Sequence, residues 1–275
     1  MFKKLRGLFL CLCFTLAGCA SEPEPEIQEI EIPAFTGDAV LPLGAPDFMD
    51  DDASTTAARH FSSQDSLGRT QQAMAVLGPE LMADASLPDL SQIQPTGWKQ
   101  KSSSLIDKGR LYERKALIAQ ALTGDGANRD NLITATHWMS TQGMKPYEDQ
   151  VLEYIKDTDN HVLYRVTPVY DGDNLLASGV ILEAWSVEDN GKGINFKVYC
   201  FNEQPGIAID HATGDSSEID LADDGEGAAD YILDVSAGTF TVPWCGQVDE
   251  DVSRTVHSTI EKLEAAGFTA NTACI

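Results

Sequence analysis

Three charged residues in a row, Glu113, Arg114 and Lys115, stand directly before the apolar run ALIAQALTG that ends at Gly124. A carboxylate, a planar guanidinium and an ammonium at one point of a chain can hold an anion such as a phosphate or balance the charge around a metal. The run reads as a strand end passing into a short helix closed by Gly124. At such a junction backbone N–H groups converge, and the last strand side chains point at whatever binds. The junction residue itself is Ala116, whose methyl group neither takes a proton nor holds a metal. The stretch is either an ordinary turn or an active site whose proton acceptor is missing.

Other side chains could supply that acceptor. His137 lies three residues before Ser140, so on a helix the two share a face. His161 begins a strand pattern and His60 lies upstream. Lys115 would serve only with a strongly depressed pKa. A general base must sit within hydrogen-bond reach of its proton, so each histidine reads first as a packing or surface residue.

The elements that must position these groups follow from pattern. MKPYEDQVLEYIKDT places Tyr147, Val151 and Ile155 four residues apart, with Pro146 in the first turn, which predicts an amphipathic helix. HVLYRVTPVY, GVILEAWSVE and INFKVYCF read as strands, with turns at Asp171–Asp173 and Asn190–Lys192. FSSQDSLGRTQQAMAVLGPELM contains a segment that periodicity leaves open between strand and helix. ATGDSSEIDLADDGEGAAD reads as a mobile acidic loop, and Ser253–Ala266 as a helix capped by Gly267.

The chain has 275 residues and a formal charge of -24, with 43% apolar residues, enough for a core. Between Trp98 and Val169, ten Lys/Arg face nine Asp/Glu, so the acid lies in the flanks. An acidic protein repels phosphate backbones, an objection that the near-neutral middle weakens but does not remove. The acid itself reads as a solubility device.

The first residues, MFKKLRG followed by LFLCLCFTLAGC, have the layout of a secretory signal. Leu16-Ala17-Gly18-Cys19 resembles a bacterial lipoprotein box. That likeness implies cleavage before Cys19, a lipidated thiol, and a protein anchored outside the cytoplasm by its lipid. The expected organisation is a signal peptide at residues 1–18, a Pro/Glu tether at 19–31, a globular domain at 32–235 and a C-terminal segment at 236–275.

The blocks SLGRTQQAMAVLGPELM, IQPTGW, LYERKALIAQALTG, GANRDNLITATHWMSTQGM, PYEDQVLEYI, NHVLYRVTPVYDGDNLLASGVILEAWSVEDNGKGINF and YCFNEQPGIAIDHATGD, in this order, resemble the DNA/RNA non-specific endonuclease family. The likeness runs from about Ile32 to Gly214 and implies an α+β fold. That fold is the ββα-metal, His-Me finger-like architecture with a central antiparallel sheet, here with a small C-terminal appendage. It implies an Asp-Arg-Gly-His motif whose His activates a water against a phosphodiester. It also implies one divalent ion, usually Mg²⁺, held by an Asn and several waters.

Carried over by residue, the motif falls on Glu113-Arg114-Lys115-Ala116. Arg114 is kept, Glu113 keeps the charge of the Asp, Lys115 fills the space of a Gly, and Ala116 replaces the His. Ser140 stands where the metal-binding Asn is expected, and a hydroxyl is the poorer ligand for a hard cation. Asn131 matches a second Asn near the site, and Glu148 matches the acid that organises metal-bound water. The expectation is a family member that has lost cleavage, needs no cofactor, and keeps weak binding to nucleic acid or a protein partner. The alternatives are an active Mg²⁺-dependent nuclease using a displaced histidine, and an adhesion or scaffolding lipoprotein that reuses the fold. TFTVPWCGQ and AAGFTANTACI resemble a small metal-knuckle tail in which Thr241 replaces a His and Asn271 a Cys. The two remaining thiols, Cys245 and Cys274, are too few for a closed zinc site, and outside the cytoplasm the simpler expectation is a disulfide between them. Cys200 reads as a small buried apolar residue.

Overall fold

A computed structural model describes residues 32–48, 54–82, 89–245 and 249–273. Cys19, the signal sequence, the tether and Cys274 lie outside them. The chain divides into Met1–Ala34, of which only residues 32–34 are described, and one compact unit, Phe35–Ile275.

The compact unit begins with β1 (Val40–Gly44), β2 (Ala58–Phe61), β3 (Ala73–Leu77) and β4 (Tyr112–Ala116). A single helical turn follows, α1 (Gln120–Thr123), then β5 (Leu132–Thr136). A π-helical turn, Met139–Met144, leads into α2 (Lys145–Thr158). Next come β6 (Val162–Val169), β7 (Gly179–Ser186), β8 (Asn195–Phe201), β9 (Ile207–Asp210) and β10 (Asp215–Glu218). The last elements are β11 (Ala229–Asp234), β12 (Thr239–Thr241), β13 (Ser253–Ser258), α3 (Ile260–Ala265) and β14 (Thr269–Ala270).

The three strands expected after α2 form the middle of a six-stranded antiparallel sheet, ordered β1-β8-β7-β6-β3-β2. Their β-branched and aromatic residues suit a pleated, buried surface. Asn190 and Gly191 turn the chain between β7 and β8 with φ of 55° and 74°, the left-handed pair that a tight hairpin turn requires. The segment that periodicity left open is β3, paired with β6 from Ala73↔Val166 to Leu77↔Val162. Against this sheet pack Leu117, Ile118 and Ile133 of the β4–β5 hairpin and Val151 and Ile155 of α2 in one buried cluster. Cys200 is fully buried in it, as expected, and is a free thiol.

Two sequence expectations are corrected. Ser253–Ala266 is not one helix: its first half is β13, paired with all six residues of β11, and α3 starts only after Thr259. Thr255 and Val256 are β-branched and sit opposite a ready strand edge, which outweighs helix propensity. The Thr259 side chain then accepts from the Lys262 N–H and caps α3. Within the acidic segment, Asp215–Glu218 is strand rather than loop, closing a hairpin on β9. The C-terminal sheet is ordered β13-β11-β12-β14, and its first strand along the chain is Ala229–Asp234. Cys245 is disulfide-bonded.

Candidate active site at the hairpin–helix junction

β4 and β5 pair antiparallel from Tyr112↔Thr136 to Ala116↔Leu132, and the chain turns from β5 directly into the helix. Side-chain amides close both outer edges of this two-stranded ribbon at its Tyr112–Thr136 end. Gln100 exchanges side-chain hydrogen bonds with the Tyr112 backbone. Asn202 accepts from Thr136 N–H at 2.8 Å and donates to Thr134 O at 3.1 Å. The ribbon is therefore a fixed platform rather than a frayed hairpin.

Strand alternation divides the motif between two faces. Glu113 and Lys115 turn toward the helix. Glu113 Oε1 lies 2.6 Å from His137 Nδ1, and Lys115 Nζ lies 2.6 Å from Glu148 Oε2. The spacing argument for His137 and Ser140 holds, since both approach Glu113. Burial pushes the Glu113 carboxyl up, but the His137 hydrogen bond and charge, the Ser140 hydroxyl and Lys115 outweigh it and hold the pKa below the ordinary carboxylate value. The Ser140 hydroxyl is buried and close to Glu113 without reaching hydrogen-bond geometry, and Glu148 Oε1 is likewise buried and unbonded.

Arg114 and Ala116 occupy the other face. The Arg114 guanidinium lies 4.1 Å from the centre of the Trp98 ring, and its Nε donates to Ile93 O. Its fork is thus partly committed to the protein. Asn131 is also committed: its amide accepts from Ile118 N–H at 3.0 Å and donates to Ile118 O at 2.9 Å, fixing the chain entering α1. A cleft of about 660 Å³ opens over the junction, lined among others by Trp98, Arg110, Glu113, Lys115, Ala116 and His137. Lys108 and Arg114 also reach it.

A β-hairpin running into a helix, with the charged motif on its first strand, is the ββα arrangement. A protein-family model described as DNA/RNA non-specific endonuclease matches residues 51–188, half of the chain and all of this site. The chain belongs to the DNA/RNA non-specific endonuclease family. A deoxyribonuclease from Streptococcus dysgalactiae subsp. equisimilis is 33% identical over 116 residues, covering 39% of this chain and 35% of that protein, so the likeness spans about a third of that relative. Two structures of NucA from Streptococcus agalactiae share the fold. The metal-free one is 27% identical with a TM-score of 0.55, over 62% of this chain and 82% of that one. The magnesium-bound one is 26% identical with a TM-score of 0.57, over 64% and 83%. Sda1 nuclease with bound zinc, at 23% identity and a TM-score of 0.56, supports the fold alone.

Ser140 lies near Glu113, and Glu148 meets the motif through Lys115. Asn131 is left as a buried structural amide. His161 lies elsewhere, bonded to Glu188 at 2.6 Å, and His60 sits on β2. Sequence reasoning missed Trp98 as the seat of Arg114 and missed the partners of His137 and Lys115. The signal for the last was present: a Lys in the slot of a Gly needs a counter-charge, and Glu148 was already placed nearby.

Proposed function

We propose that this chain is an exported, lipid-anchored member of the family that has lost phosphodiester cleavage and keeps a cationic cleft, through which it holds nucleic acid weakly. The observation that carries this reading is the end of β4. Ala116 stands where the proton acceptor belongs, while Lys115 beside it is locked to Glu148. Removing a general base alone costs a factor of about 10²–10⁴ in rate.

NucA, a relative of this chain, has a structure with a magnesium ion bound. A hard divalent cation wants several oxygen donors and uncompensated negative charge. Here the two leftover oxygens are Ser140 Oγ and Glu148 Oε1, and the Glu148 charge is already balanced by an ammonium 2.6 Å away. The residues present do not fit the ion. The cleft instead carries Lys108 and Arg110, which have no ion-pair partner among the described residues, beside Trp98, whose ring offers a stacking surface. An acidic protein thus presents several cations, beside Glu113, at this opening.

Gel-shift titration of labelled single- and double-stranded oligonucleotides tests the reading. Binding without shortening of the probe, weakening steeply as salt rises from about 50 to 200 mM, is expected. No shift at low salt refutes it and leaves the adhesion or scaffolding reading.

A second reading has its own observation. His137 lines the same cleft, with Nδ1 2.6 Å from Glu113 Oε1 and Nε2 3.8 Å from Asp107 Oδ2, an imidazole oriented by carboxylates on both sides. An active nuclease would use that imidazole, and His137→Ala would abolish its cutting.

A further inference from the structure

We propose that the Lys115 ammonium takes the place of the divalent cation beside Glu148, a built-in positive charge that excludes the metal and leaves Lys108 and Arg110 of the cleft to hold an anion without one. The proposal deepens the reading above. It rests on the family frame for where a metal belongs, and on nucleic-acid binding only for the anion.

The argument is one of position and charge. Lys115 is the motif residue whose slot the family leaves to a Gly, and its Nζ sits 2.6 Å from the acid that the family uses around the metal. The pair joins β4 to α2 across 33 residues, and both side chains are largely buried, at 14% and 9% exposure. An ion pair so shielded is held in one geometry, and solvent screens it little. Lys115 also lies near enough to Glu113 to favour that carboxylate's charged form. One ammonium therefore faces both acids of the site. A divalent cation approaching Glu148 would meet a like charge at contact range and a carboxylate already neutralised. The buried, unbonded Ser140 Oγ and Glu148 Oε1 are what remains of a donor set whose central charge has been supplied from the protein.

Mn²⁺ binding followed by electron paramagnetic resonance on the purified mature chain separates Lys115 from the lost Asn. Wild type and Ser140→Asn are expected to show no saturable Mn²⁺ site at about 1 mM, whereas Lys115→Gly with Ser140→Asn gains one site at least about tenfold tighter. Saturable binding by wild type or by Ser140→Asn, lost on Glu148→Gln, overturns the proposal. So does a double variant of wild-type circular dichroism that binds no better than Ser140→Asn alone. If the double variant does not fold, Lys115→Met with Ser140→Asn takes its place under the same criteria. Oligonucleotide shifts run in EDTA and in Mg²⁺ form the second arm. Equal shifts support the built-in charge, and a shift that needs Mg²⁺ contradicts it. Absence of any shift sinks the nucleic-acid reading while the Mn²⁺ result still decides on Lys115.

Discussion

Three histidine–glutamate neighbours in this molecule have different fates. His137–Glu113 and His161–Glu188 are both 2.6 Å contacts, and in both the carboxyl pKa is held below its ordinary value although burial pushes it up. His211 Nε2 stays 3.6 Å from Glu203, and burial alone raises that carboxyl to about 7. The bonded imidazole, with the further hydrogen bonds and charges around Glu113 and Glu188, keeps those carboxyls charged, whereas Glu203 has only burial acting on it. Burial also lowers the His211 pKa, so its ring is neutral when Glu203 ionises and offers little compensation. The two tight pairs differ in turn by what surrounds them. His161 closes the end of β6 against the loop after β7, with Glu80 Oε2 3.4 Å from Nε2. His137 likewise has a second carboxylate, Asp107 Oδ2, 3.8 Å from Nε2, but it shares its cleft with Lys115 and Arg114. A bonded imidazole is therefore not a catalytic signature by itself, and only the region with a cleft and cations has the means to meet a ligand.

The largest expected effect separates those regions. Lys115→Met leaves Glu148 buried and uncompensated, and should cost about 3–5 kcal/mol in urea unfolding, most of it recovered by adding Glu148→Gln. Independent effects of the two substitutions would break the claim that the pair is coupled. His161→Ala should cost about 1–3 kcal/mol by stranding Glu188, with oligonucleotide binding untouched. A change in binding there would erase the distinction between the two tight pairs.

The loose pair gives a pH test. The folded-state pKa of Glu203 is raised from the ordinary 4.5 to about 7, so its contribution to stability is complete below 4.5 and is lost as pH rises through 7. Glu113 and Glu188 act with the opposite sign: their contribution is present above the ordinary carboxylate value and lost as pH falls through the lowered one. Glu203→Gln should raise the Tm by a few degrees near pH 8 and hardly at all near pH 5. An equal shift at both pH values contradicts the assignment. The smallest effect is expected for Trp98→Ala, about 0.5–1 kcal/mol from the lost seat of Arg114, together with weaker oligonucleotide binding.

Much of the fold was legible because its signals are local. Alternation in β6–β8, the Asn190-Gly191 turn and the Pro146-led helix each follow from a few adjacent residues. The Ser253–Ala266 stretch was misread because its strand half is chosen by β11, some twenty residues away. The site was legible as a set of positions and not as a set of partners. Glu113, Ala116, Ser140 and Glu148 were assigned by resemblance to the family's motif, but Arg114 on Trp98, Asn131 on Ile118 and Lys115 on Glu148 are contacts between elements. Such pairings depend on how the hairpin sits on the helix, which no single stretch encodes.

The central claim is that the scaffold of a nuclease persists here without its chemistry, and cleavage measures that most directly. Purified mature chain is incubated with plasmid DNA and with RNA, in Mg²⁺ and in Mn²⁺, beside Ala116→His/Ser140→Asn and the same pair carrying Lys115→Gly. The account predicts intact substrate with the wild type, and cutting that appears only once Lys115 is also removed. Turnover by the wild type, abolished by His137→Ala, would contradict it.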